Sequence, residues 1–126
     1  MIGVFNTNTQ EIKMFETVEQ FFNYITTIEN EKMLPGHKDF GKTQWSFQIM
    51  SVHYVRELYT HTKEDKRTQA LCEAYEQELP LLEICHGDFT NPARFPLTPD
   101  TDLEDLKMDW CRAYCKVHQF YLIEKE

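Results

Sequence analysis

The first hydrophobic pattern is period two. Ile2–Asn6 and Glu11–Phe15 read as short extended segments, the second with Ile12 and Met14 alternating against Lys13, and Thr7–Gln10 between them predicts a hairpin with a four-residue loop. Period 3.6 follows. Thr17-Val18-Glu19-Gln20 has the form of a capping box, and Phe21, Ile25 and Ile28 recur at helical spacing until Pro35-Gly36 stops the helix, with fraying from about Asn30.

The stretch Gly36–Thr60 carries the densest apolar pattern. At 100° per residue, Trp45, Phe47, Ile49, Met50, Val52, Tyr54, Val55, Leu58 and Tyr59 cover most of a helix circumference. Ser46, His53, Arg56 and Glu57 form the polar strip. This predicts a central helix, N-capped by Thr43 and contacted on most sides. A third helix is expected from near Lys63, capped by Thr62, with Ala70, Leu71, Ala74 and Tyr75 as its stripe. Pro80 forbids a straight continuation, so Leu81, Leu82, Ile84 and Cys85 read as a bent last stretch or a separate short helix ending at Gly87. Residues 88–100, with three prolines, read as an ordered loop anchored by Phe89, Phe95 and Leu97. A last helix is expected from Thr101 to about Ile123, with Leu103, Leu106, Trp110, Tyr114, Val117 and Tyr121 as its stripe. The sum is one α+β domain over residues 1–126, mainly helical, in which an N-terminal β-hairpin packs on a bundle of about four helices.

Composition adds limits. A chain of 126 residues that is 41% hydrophobic can bury a core without staples. Its apolar runs are too short to cross a bilayer, and the N-terminus lacks the regions of a signal peptide. A cytoplasmic location is the expectation, and the four cysteines then read as buried thiols. The formal net charge is −8, and all of it belongs to Glu73–Asp109, where ten acids face only Arg94 and Lys107. Direct binding to nucleic-acid phosphate is disfavoured by that balance.

The sharpest motif is Gly36-x-x-x-x-Gly41-Lys42-Thr43. Over these eight residues the chain resembles P-loop NTPases. The resemblance implies backbone amides cradling phosphate, Lys42 reaching it and Thr43 holding Mg²⁺. A phosphate loop follows a buried strand, however, and Glu29–Pro35 is polar and helical in character, so the residues themselves read as a helix stop, a turn and an N-cap. In that setting Gly41, Lys42 and Thr43 could hold an anion at a helix N-terminus.

Cys111, Cys115 and His118 share one helix face, and Cys85 or His86 could join them from elsewhere as zinc ligands. Two helical turns separate Cys111 from His118, which strains that idea. The same distance separates Ser46 from His53 and rules out a triad with Glu57. Residues 100–111 start like a calcium loop but place Asp105 where glycine is required.

These readings favour a small acidic, non-catalytic binding protein. As an adaptor or inhibitor it would dock Glu73, Glu76, Glu83, Asp88, Asp102, Glu104 and Asp105 on a larger protein with a basic surface, such as its nucleic-acid site. Acidic chains of this size without enzymatic motifs are frequent among phage-encoded inhibitors. No cofactor, metal or membrane is expected. The alternative is a nucleotide- or zinc-dependent enzyme using Gly36–Thr43 or Cys85, Cys111, Cys115 and His118.

Overall fold

A computed structural model describes residues 1–41, 45–88 and 90–125. Among these residues the chain is α+β, with four α-helices and two three-stranded antiparallel sheets. It divides into two compact units, Met1–Trp45 with Asp102–Glu126, and Ser46–Thr101.

In the first unit the hairpin forms as the alternation dictates. Strand β1 (Ile2–Asn6) pairs with β2 (Glu11–Phe15), and Asn6 Oδ1 accepts the amides of Asn8 and Thr9 in the loop. Thr17 caps α1 (Val18–Glu31) by accepting from the Gln20 amide, while Gln20 reaches back to the amide of Glu16. The box is thus present with its return bond one residue early. Phe21 and Ile25 bury one face of α1 against α4 (Leu103–Val117), from which Met108, Trp110, Cys111, Tyr114 and Cys115 enter the same core. Asp102, rather than Thr101, caps α4, and Thr101 bonds Thr98.

The last helix is shorter than its stripe suggests. Gln119 takes a left-handed conformation (φ 62°), and Phe120–Glu124 becomes β6, pairing with β1 on the side opposite β2. Aromatic and β-branched residues suit a strand, and a free edge on β1 makes pairing the better use of these residues than two more helical turns.

The second unit departs most from expectation. The central helix 43–60 does not form. Trp45–Met50 is strand β3, and only then does Ser51 cap α2 (Val52–His61) by accepting from the Tyr54 amide. The expected Thr43 cap lies outside the described residues. A single 3₁₀ turn, Glu64–Lys66, follows, and α3 (Gln69–Glu76) is capped by Thr68, not Thr62. Leu81–His86 is strand β4, not a helix, and it lies between β3 and β5 (Ala93–Pro96), which forms inside the expected loop. Phe89, one of the anchors named for that loop, lies outside the described residues. Pro80 stands between the end of α3 and β4, where no helix can continue, and Leu81, Leu82, Ile84 and Cys85 are buried, as a strand covered on both faces requires. The described residues are therefore 41% helical and 26% strand, so neither a helix bundle nor a mainly helical chain describes them.

Helix α3 ends in a Schellman motif without glycine. Leu79 N–H bonds Ala74 C=O, Glu78 N–H bonds Tyr75 C=O, and Glu78 adopts φ 54°. A left-handed L-residue costs about 1–2 kcal/mol, and the exposed Glu78–Arg56 ion pair returns little of it. Glu78→Gly is expected to raise stability by roughly 1 kcal/mol in urea unfolding. A loss of stability would show that the side chain matters more than the backbone.

Candidate functional site

The polar centre of the first unit is a residue that sequence reasoning passed over. Phe21, Ile25 and Glu29 follow one another at four-residue spacing, so the buried stripe of α1 ends in a carboxylate that is 3% exposed. Lys32 Nζ donates to Glu29 Oε1 at 2.7 Å, and the Tyr114 hydroxyl donates to the same oxygen at 2.6 Å. Glu29 Oε2 is buried and has no hydrogen-bond partner among the described residues. The signal in the sequence was Glu29 in register with Phe21 and Ile25, with Lys32 three residues on.

Tyr114 is the hub. His118 stacks on its ring at 3.9 Å, Trp45 meets it edge-on at 5.3 Å, and Phe120 tilts against it at 5.9 Å. Burial, then the bond to the Glu29 carboxylate, pushes its phenol far above the ordinary value, so it stays a neutral donor. Beside this cluster lies a cleft of about 240 Å³, lined among others by Lys32, His37, Lys38, Asp39, Tyr114 and His118. Cationic Lys32 and Lys38 and acidic Glu31 and Asp39 all line it, and Lys32 is already engaged by Glu29, so the cleft has no strong preference for one sign of charge.

The sequence candidates fall around this frame as follows. Lys42 and Thr43 lie outside the described residues. Gly36 and Gly41 both have positive φ, in turns running from helix α1 to strand β3. That is helix–loop–strand, the reverse of the strand–loop–helix that a phosphate loop requires. Cys111 and Cys115 are buried in the first unit, and burial pushes both thiols up to about 12, away from the thiolate that binds zinc. Cys85 belongs to the second unit, on β4, and His118 is held by its stack and by the Tyr114 carbonyl at 3.1 Å. No group of three or more metal-ligating side chains gathers among the described residues.

The acids divide between the units. In the second, Glu76 is exposed on α3, and Glu73 beside it accepts from Gln69. Glu83 pairs across strands with Arg94 at 2.9 Å. Asp88 accepts from Thr90 and Asn91, and these bonds hold its carboxyl below the ordinary value. In the first, Asp102 serves as the cap, and Glu104 and Asp105 are exposed in the first turn of α4, where they complement the helix dipole. No known protein family, curated protein or solved structure matches the chain. No described helix is long and apolar enough to cross a membrane.

Two outcomes follow from the cluster. Lys32→Met strands the Glu29 carboxylate and should cost about 3 kcal/mol, whereas Lys32→Met with Glu29→Leu should recover much of that loss. Equal losses in single and double variants would mean the ion pair is not what matters. The second concerns alkali. The folded protein keeps Cys111, Cys115 and Tyr114 protonated, while the unfolded chain ionises them from about pH 8.5 upward. Stability should be complete below that pH and fall as pH rises beyond it. The urea midpoint followed from pH 7 to alkaline values checks this, and Tyr114→Phe should flatten the decline. A midpoint indifferent to alkali would contradict it.

Proposed function

We propose that the protein is a non-catalytic binding protein whose acidic side chains steer it onto a basic surface of a larger protein. The observation that carries this reading is the acidic segment of α3 and the turn after it, where half-buried Glu73 and exposed Glu76 and Glu78 follow one another while the apolar residues Leu71 and Ala74 are buried. Charges placed in this way speed encounter with an oppositely charged partner and add little to the stability of their own fold. Glu104 and Asp105 in the first turn of α4 extend the acidic character to the other unit. Glu83, Asp88 and Asp102 have local structural partners and contribute mainly to the field. A basic partner surface that ordinarily holds nucleic acid would make the protein a competitor for that site.

The enzymatic alternative draws on one observation. His37 and Lys38 of the Gly36–Thr43 stretch line the cleft together with Lys32, and although Glu31 and Asp39 line it too, a small anion is the ligand this alternative requires. Titration with inorganic phosphate separates the two: millimolar or tighter binding lost in Lys38→Ala favours that alternative.

For the preferred reading, the partner is first captured on immobilised protein. Reversal of Glu73 and Glu76 to Lys should then weaken its binding tenfold or more, with steep loss as salt rises, while Lys13→Glu changes it little. Equal binding by both variants, or affinity flat from low to high salt, overturns the acidic-docking reading.

A further inference from the structure

The outward face of the first sheet is apolar. In β1, Ile2 and Val4 point into the core, so Gly3 and Phe5 point the other way. The strand register then aligns two outward rows, Met14–Gly3–Ile123 and Ile12–Phe5–Tyr121. Ile12 and Tyr121 are each 65% exposed, Met14 56% and Ile123 43%. The Met14 side chain lies over Gly3, where an added Cβ would come within 3.0 Å of its sulfur, so the middle of the sheet is filled and the face is continuous. None of these residues carries a charge at neutral pH, in a chain whose net charge is −8.

We infer that this face is where two copies of the chain pack sheet to sheet about a two-fold axis. Three arguments select a second copy. A basic partner needs acids to meet, and these rows have none. An uncharged, flat face is self-complementary, so two copies of an acidic protein can meet here without opposing carboxylates. The area also agrees: the four exposed side chains and half-buried Phe5 together offer roughly 500 Å², so a pair buries roughly 1,000 Å², the lower limit for a specific interface. Aligned sheet packing at about 10 Å spacing is the ordinary solution for such faces. The small area sets the strength, and the dimer is weak, forming over micromolar concentrations.

Sedimentation velocity across a concentration series tests the inference. The protein should shift from monomer to dimer through the micromolar range, and the shift should persist or strengthen at high salt, because the contact is apolar and salt screens the net repulsion. Ile12→Lys and Tyr121→Lys should each remain monomeric with an unchanged circular dichroism spectrum. Tyr121→Ser provides a milder variant should either lysine disturb the fold, and it should weaken association at least tenfold. A wild-type protein that stays monomeric into the hundreds of micromolar, or variants that dimerise like wild type, overturns the inference. So does a monomer that instead floats with neutral phosphatidylcholine vesicles, which would assign the face to a lipid surface.

Discussion

A carboxylate inside the core is the constraint around which the first unit is built. Burying Glu29 costs several kcal/mol unless its charge is met, and here it is met by the Lys32 ammonium and the Tyr114 hydroxyl on one oxygen. That requirement joins α1 to α4 at a fixed register. It also determines what Tyr114 can be: a buried, neutral donor whose ring supports His118, Trp45 and Phe120. Packing alone would allow the helices to slide by a fraction of a turn, whereas the 2.6 Å hydrogen bond from Tyr114 of α4 to the Glu29 carboxylate of α1 does not. The cleft beside the cluster is a consequence of this arrangement, since Lys32 and Tyr114 form part of its wall.

Local rules made the N-terminal half of this unit legible. The hairpin has Ile12 and Met14 alternating against Lys13 and a loop rich in turn residues, and Thr17 and Gln20 mark the start of α1 as caps do. Where boundaries carry no glycine or proline, the pattern misleads. Trp45, Phe47 and Ile49 alternate as a strand, but Met50 and Val52 continue the apolar count into α2, and the sum imitates one broad helix. Ser51 was the boundary, an N-cap inside an apparently continuous run. Gln119 ends α4 in a conformation that glycine usually supplies, so β6 was read as helix. Leu81–His86 is too short for periodicity to decide, and its neighbours on both sides in the sheet made it a strand. Glu29 was the least legible, because burial of a charge depends on partners that no spacing reveals.

The surface separates two kinds of interaction by location. Acids concentrate on α3 and on the first turn of α4, where they act at a distance and respond to salt. The outward rows of the first sheet are uncharged and act only on contact. A chain that presents both can be steered by one surface while it associates through the other, because the two forces respond oppositely to ionic strength. Neither surface uses the buried cysteines, which are packing groups in an apolar setting.

Native-state hydrogen exchange tests most directly whether the Glu29 cluster ties α1 to α4. The amides of Ile25 and Glu29 in α1 and of Cys111 and Cys115 in α4 should open as one cooperative unit with equal free energies. Tyr114→Phe removes one donor from a buried carboxylate, worth about 1–3 kcal/mol, so exchange at all four should accelerate together by roughly 5- to 150-fold. If α1 exchanges independently of α4, or if Tyr114→Phe speeds only the amides around residue 114, the two helices are held by packing and the account of Glu29 as their tie is wrong.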